Sequence, residues 1–376
     1  MRIVHLSDTH LGHTYGSRLS ESGINQREED VARAFDHVIT RAIAMRPDIL
    51  IHAGDLFDSV RPSNRVTDFA VERIRWLSES GIETVLIAGN HSTPRLRETG
   101  SIFSLFDPER HNLPHVHPVY RGAYETVEIG DAVVHCLPHS FEPLAEVNKV
   151  LPKKGRLNVM TLHAGIDTIR AFQHSQEFNE QVLPEGVLYP DMDYIALGHY
   201  HKCVMVRGNA YYAGSTERLS FHEANEEKVF LEVEIGDALK VTKHAIEGLR
   251  PMHDLSVDCA GIDAGAVAAK VRESRGSMDV DGALVRLVLN NVGESAYRSL
   301  NLHGIREVFS GALVFKLEPR IVSASGAGVG QTASIRPLVS EWEEFMRGQA
   351  VPRDKDRITA MGMEYLARGN DARPDA

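Results

Sequence analysis

The stretch REEDVARAFDHVITRAIAMRPDILIHAGDLFD, residues Arg27 to Asp58, decides the fold. In its first part Val31, Ala34, Phe35, Val38, Ile39, Ala42 and Ile43 recur at the three-and-four spacing of one helix face, while Glu28, Glu29, Asp30, Arg33 and Arg41 take the other. Pro47 ends that helix. Asp48 to Gly54 then reads as a buried strand that runs into Asp55. The same order continues on both sides. Ile3 to Leu6 is a strand before it; Val66 to Leu77 is a second amphipathic helix and Thr84 to Ala88 the next strand after it. This βαβαβ order predicts an α/β fold in which crossover helices cover a largely parallel sheet.

Further strands are expected at Ala132 to Leu137, Leu157 to Leu162, Tyr194 to Leu197, Cys203 to Arg207, Tyr211 to Ala213, Val229 to Glu234 and Leu239 to His244. They lie closer together and read as partly antiparallel. After Arg250-Pro251 the pattern restarts. Leu255 to Asp258, Ala283 to Leu289 and Leu313 to Leu317 are strands, and Ala264 to Glu273 and Ser295 to Phe309 are helices, which makes a small second α/β domain. Ser323 to Ser334 is a linker by its Ser, Ala and Gly content. Two short amphipathic segments follow, one carrying Leu338, Trp342 and Phe345, the other Ile358, Met361 and Tyr365. Their apolar faces either dock on their own protein or grip a partner. The expected division is residues 1–250, 251–321, a linker over 322–336 and a helical segment over 337–376.

The 376 residues carry a formal net charge of −11 and are 43% apolar, a globular composition long enough for more than one domain. Cys136, Cys203 and Cys259 form no CxxC pair, which argues against a disulfide framework or a structural zinc site and favours a reducing, cytoplasmic setting. No apolar run approaches the roughly 18 residues that a membrane span requires.

The chemistry gathers at the strand ends. The first strand runs into Asp8-Thr9-His10, the second into Gly54-Asp55, the third into Gly89-Asn90-His91, and two later ones into His163 and His199-Tyr200-His201. In an open α/β sheet functional groups collect beyond the carboxyl ends of the strands, so these residues should converge. Taken singly, each has an ordinary reading: a core histidine, a turn-capping aspartate, an asparagine in a left-handed turn. Their joint occurrence in one order, each just past an apolar run, points to a metal site. Carboxylates, an amide and imidazoles without thiolate suit Mn²⁺, Fe²⁺ or Zn²⁺. Asp8, His10, Asp55, Asn90, His163, His199 and His201 are too many ligands for one ion, and two ions about 3.5 to 4 Å apart would serve in-line attack on phosphorus.

Asp-x-His, Gly-Asp, Gly-Asn-His, a lone His and Gly-His-x-His, in that order over residues 1 to 245, resemble the calcineurin-like metallophosphoesterases. Within that superfamily the chain is similar to the SbcD-type nuclease subunits of DNA repair. The closer likeness rests on His5 to Gly12, Gln26 to Asp30, Gly54 to Asp58 with Arg61-Pro62, and Tyr212 to Arg218. The resemblance implies a metallophosphoesterase sandwich of mixed β-sheets flanked by helices, an α/β cap, and C-terminal helices that hold an SbcC-like ATPase of the SMC type. It also implies two divalent ions, Mn²⁺ foremost. Asp8, His10, Asp55 and His201 would hold one, and Asp55, Asn90, His163 and His199 the other. His91 would stand outside the metal shell as general acid or transition-state stabiliser, and the reaction would be hydrolysis of a DNA phosphodiester. A homodimer through the first helices is a further implication.

Two positions depart from that pattern. The family's Asp after Gly-Asn-His is Ser92 here, so either a carboxylate from another segment supports His91 or its imidazole stays mostly neutral. Asp58 stands where some relatives carry a histidine. For DNA contact the candidates are Arg61, Arg95, Lys202 and Arg218, each also readable as a solvated surface charge. A phosphodiesterase or phosphatase acting on small nucleotides or phosphoproteins is the alternative. A metal-free scaffold would have lost ligands that are all present here.

Overall fold

The computed structural model describes residues 1–94, 99–169, 181–322 and 354–371, together with Trp342 and Met346. Its strands are β1 (Arg2–Leu6), β2 (Ile49–His52), β3 (Glu83–Ile87), β4 (Val116–Val119), β5 (Glu125–Ile129), β6 (Ala132–Leu137), β7 (Leu157–His163), β8 (Gly165–Ile166), β9 (Val182–Leu183), β10 (Tyr194–Gly198), β11 (Val204–Arg207), β12 (Ala210–Tyr212), β13 (Val229–Ile235), β14 (Leu239–Ala245), β15 (Met252–Asp258), β16 (Leu284–Gly293) and β17 (Val314–Val322). Its helices are α1 (Gln26–Met45), α2 (Asn64–Glu79), α3 (Pro108–His111), α4 (Pro143–Val147), α5 (Ala264–Arg275), α6 (Glu294–Arg298), α7 (Leu302–Val308) and α8 (Lys355–Asp371).

Two six-stranded sheets, ordered β14-β13-β1-β2-β3-β4 and β11-β12-β10-β7-β6-β5, carry the first part of the chain. β1 to β4 are parallel, as are β12, β10, β7 and β6, and antiparallel strands close every edge except the one formed by β4. Side chains alternate across a strand. Ile3, Ile49 and Ile51 therefore meet Val134, Val159 and Ala196 of the facing sheet. Val4, Leu6 and Leu50 point the other way, onto Phe35 and Val38 of α1 and Ile74 of α2. On the far side of the second sheet Met160, Leu162, Ile195 and Leu197 pack against Val147 of α4 and Leu188. The layers are helix, sheet, sheet and a thin helical cover. Fully burying each such Val, Leu, Ile or Phe contributes about 1.5–3 kcal/mol, and this core fixes where the strand ends lie.

The crossover helices begin and end where their sequences dictate. The side chain of Asn25 accepts from Arg27 N at 3.0 Å and that of Ser63 from Val66 N at 3.3 Å, both N-caps. α1 stops at Arg46, in a left-handed conformation just before Pro47. β4 and β5 were not expected from the pattern: Pro118 interrupts β4, which is an edge strand, and β5 has no clean alternation.

Residues Met1–Ile321 pack as one compact unit and Val322–Ala376 as another. Within the first, β15, β16 and β17 form a separate three-stranded sheet whose core includes Val257, Val267, Leu287 and Phe309. The single helix expected over Ser295 to Phe309 is two. α6 ends before Ser299, and Asn301 starts α7 by accepting from Gly304 N at 2.9 Å, a local bond that competes with continuing the first helix. Arg250 ties this part to α1: Nε donates to Asp30 Oδ2 at 2.7 Å, Nη2 to Asp30 Oδ1 at 2.9 Å and Nη1 to the Gly282 carbonyl at 2.8 Å. In the second unit Trp342 Nε1 donates to the Thr359 carbonyl of α8 at 3.1 Å, and a Cβ on Gly362 would collide with that indole. Val322, the first residue of the expected linker, ends β17; the rest of the linker, like Leu338 and Phe345 of the segment after it, lies outside the described residues.

Candidate metal centre

The carboxyl ends of β1, β2 and β3 in one sheet, and of β7 and β10 in the other, open onto one place. The chain there is held in unusual conformations. Asp8 (φ 51°), His10 (φ 45°), Asp55 (φ 53°) and His199 (φ 100°) all lie in the left-handed region, which costs on the order of 1–3 kcal/mol per residue. Main-chain bonds hold them: Asp8 N donates to Gly54 O and His10 N to Asp55 O, both at 3.0 Å, while His199 N donates to the Asp8 carboxylate at 3.0 and 3.1 Å. Two glycines make room. A Cβ on Gly54 would run into the His163 ring, and one on Gly198 into the Ala53 carbonyl.

Asp8, His10 and His201 bring ligand atoms within 4.8 Å of one another, and so do Asp55, His163 and His199. Asn90 joins the second group, its Oδ1 2.9 Å from His163 Nε2. His10 Nε2 is buried without a hydrogen-bond partner among the described residues, and Asp55 Oδ2 is 3.9 Å from it. Nitrogen and oxygen donors with no thiolate, one imidazole nitrogen left unsatisfied and a carboxylate between the groups fit borderline divalent cations. All seven expected ligands are brought together.

Three of the four candidate ligand imidazoles, those of His163, His10 and His201, are aimed by their other nitrogen. His163 Nδ1 donates to the Ala53 carbonyl at 2.9 Å. His10 Nδ1 lies 3.2 Å from Asp58 Oδ1, and His201 Nδ1 3.3 Å from Glu223 Oε1. Glu223 is anchored by the buried Lys228, whose Nζ donates to Glu223 Oε2 at 2.6 Å, to Glu226 at 3.0 Å and to the His201 carbonyl at 2.9 Å. Asp58 also receives His13 at 3.3 Å.

The charges follow from burial and pairing. Burial raises the cost of ionising Asp55, yet His163 and then His10 outweigh it and hold its carboxyl far below the usual range. Burial likewise disfavours charge on His163, but Asp55 and Asp8 raise it to about 9. Burial dominates at His10 and lowers its pKa, while Glu223 and Asp8 overcome burial at His201 and raise it.

His91 is exposed beside this cluster, its ring 4.7 Å from that of His10. A ring nitrogen of His91 falls within 4.8 Å of the nearest ligand atoms of His10 and Asp55. Its Nδ1 donates to the Asp58 carbonyl at 2.8 Å, and its backbone N–H donates to Asp55 Oδ1 at 3.0 Å. Of the two alternatives set by Ser92, a carboxylate on this nitrogen is not found among the described residues; a peptide carbonyl has that place. Ser92 itself is fully buried, and its hydroxyl has no partner among the described residues.

Arg61 and Lys202 are exposed, Arg61 reaching Thr99 at 3.4 Å. Arg218 is engaged internally: its Nε donates to the Glu226 carbonyl at 3.1 Å and its own carbonyl accepts from Arg27 at 2.6 Å. Arg95 lies outside the described residues. Glu223, Lys228, the dual use of Asp58 and His139 escaped the sequence reading. Only His139 had a signal, since it follows the apolar run of β6 as the ligands follow theirs.

An α/β sandwich with acidic and imidazole groups from both sheets meeting at one end defines a class of divalent-metal centre built for phosphate esters. The chain belongs to the calcineurin-like phosphoesterase family, which it matches over residues 1–203. Among curated proteins it is 30% identical over 244 residues to the DNA double-strand break repair protein Mre11 of Methanococcus maripaludis, covering 61% of this chain and 60% of that one. It is 30% identical to the Mre11 of Methanopyrus kandleri (61% and 51%) and 28% identical to that of Aeropyrum pernix (71% and 65%). The chain thus spans about half to two thirds of the length of these relatives.

Proposed function

We propose that this protein is a metal-dependent DNA nuclease, both exonuclease and endonuclease, acting at DNA ends or hairpins in double-strand-break repair. The observation that carries the reading is the meeting of two ligand groups about one carboxylate, Asp55, with His91 at their edge. Similarity to double-strand-break repair proteins supports DNA as substrate.

Asp8, His10, Asp55 and His201 would hold one divalent cation, and Asp55, Asn90, His163 and His199 a second, with Mn²⁺ the favoured metal. Bound there, the pair would lower the pKa of water near neutral pH and offset charge on the phosphate oxygens. The chain's own part is positional. Asp58, Glu223 and the Ala53 carbonyl keep the ligand imidazoles turned inward. With Nδ1–H committed to the Asp58 carbonyl, His91 leaves Nε2 to meet the leaving oxygen or a phosphate oxygen. Arg61, Lys202, Arg218 and Arg95 are proposed phosphate contacts.

Residues 251–321 serve as a cap over the substrate, docked through Arg250. The C-terminal segment would grip an SMC-type ATPase, a role supported by the exposure of Ile358 and Met361 on α8. A homodimer would use the exposed side of α2 around Trp76, because Ala70, Ile74 and Leu77 are spent on the core.

The test compares linear duplex, single-stranded and hairpin DNA with bis-p-nitrophenyl phosphate in Mn²⁺. Hydrolysis of the small ester but of no DNA, with or without an ATPase partner, replaces this reading by a small-substrate phosphodiesterase. A His91→Asn variant should bind metal as the parent does and lose turnover; loss of metal as well would move His91 into the ligand set.

A further inference from the structure

Next to the ligand cluster is a cavity of about 550 Å³, bounded by Thr93 and Pro94, by Tyr120 to Gly122 and by His139 to Glu142. Its floor is His139, 6% exposed, and neither ring nitrogen has a hydrogen-bond partner among the described residues. Leaving a buried imidazole unsatisfied costs about 1–3 kcal/mol, which a ligand with a matching polar edge would remove. His139 is part of the catalytic end of the fold: its backbone N–H donates to the Ala88 carbonyl at 2.8 Å, two residues before Asn90, and its ring lies within electrostatic range of His163, Asp55 and His199.

The walls have the chemistry of a nucleotide. Phe141 is 70% exposed, a large apolar ring held out at the mouth, 6.1 Å from the His139 ring and nearly perpendicular to it. Also lining the cavity, the exposed Arg121 guanidinium lies 5.9 Å from the centre of the Tyr120 ring. Of the two acidic residues on the rim, Glu146 is engaged by Lys149 at 2.6 Å and by the Tyr124 backbone at 2.7 Å, whereas Glu142 is exposed. A bare aromatic face and a guanidinium are what single-strand binding uses, and the unsatisfied imidazole adds a polar contact for a base or sugar edge.

We infer that this cavity is a subsite for the nucleotide next to the scissile phosphodiester, its base unstacked against Phe141, its phosphate met by Arg121 and its sugar or base edge bonded to His139. The inference rests on the DNA reading above and goes further: the enzyme engages an unpaired nucleotide at the point of cleavage.

The test measures kcat/KM for a short single-stranded oligonucleotide and for bis-p-nitrophenyl phosphate, which has no flanking nucleotide. Anisotropy of the labelled oligonucleotide in EDTA gives binding without turnover. Phe141→Ala should lower the oligonucleotide-to-ester ratio about tenfold and weaken binding similarly, and Phe141→Trp should restore both. Arg121→Ala should lower the ratio less, with an effect that shrinks as salt is raised. Should His139→Asn unfold the chain, these two variants decide. If the parent cleaves the oligonucleotide and the ratio is unchanged in Phe141→Ala, or if both substrates decline together, the subsite is refuted while the nuclease reading stands. If the parent cleaves only the ester, the nuclease reading and the subsite both fall.

Discussion

The two halves of the ligand cluster are supported by different means. His10 and His201 are turned by side-chain carboxylates, Asp58 and Glu223, and the latter is braced by a buried lysine. His163 is turned by a main-chain carbonyl, that of Ala53, reached only because Gly54 and Gly198 lack a Cβ. The first half is therefore adjustable by substitution at positions outside the candidate ligand set. The second is fixed by backbone and changes only if the ligands or the glycines change.

The largest effect belongs to the residue both halves share. Asp55→Ala should abolish cation uptake on each side in calorimetric titration and lower turnover by about 10³-fold, equivalent to about 4 kcal/mol of transition-state stabilisation. Gly198→Ala should strike the backbone-held half by overpacking, costing on the order of 1–3 kcal/mol in denaturant unfolding. A fully stable Gly198→Ala protein would mean that the sheets can separate there. Glu223→Gln and Asp58→Asn should each weaken Mn²⁺ binding 10- to 100-fold with the fold intact, as loss of an outer partner of a ligand histidine does. If neither variant shifts metal affinity, the contrast between the halves has no functional content.

A smaller effect concerns acid. Burial holds His5 at about 3, and His52 and His139 at about 4, all below the ordinary 6.5. The folded state binds fewer protons than the unfolded one between those values. The contribution of these three groups to stability is therefore complete above about pH 6.5 and declines as pH falls toward 4, by up to about 1.4 kcal/mol per pH unit for each group. Thermal unfolding of the metal-free protein from pH 7 to 5 should show this decline, and His5→Gln should make it shallower. The smallest effect is expected of Ser92→Asp, which should move the basic limb of the pH–rate profile upward if a carboxylate there can reach His91. An unmoved profile would leave the Asp58 carbonyl as the sole determinant of that imidazole's orientation.

The convergence of the candidate ligands was legible because their signal is local: each is a polar residue of metal-binding type just past an apolar strand, and the strand-end rule does the rest. The crossover helices were legible for the same reason, through the period of Val31 to Ile43. The supports were not. Glu223 sits in a short helical turn of no distinctive composition, and nothing local says that it faces His201 across 22 residues. The Ala53 carbonyl carries no sequence identity at all. Asp58 was noticed as a departure, but its two roles, with carboxylate and carbonyl turned to different histidines, exist only after β1, β2 and β3 are side by side. The break between α6 and α7 was hidden by a continuous apolar pattern that Asn301 overrides.

Because Asp8, Asp55 and Asn90 come from one sheet and His163, His199 and His201 from the other, cations at this end would rivet the two layers together. Loading would raise the melting temperature with ion concentration as mass action requires. A chelator would then loosen the sandwich at its working end first, so that proteolysis near residue 200 becomes a gauge of occupancy.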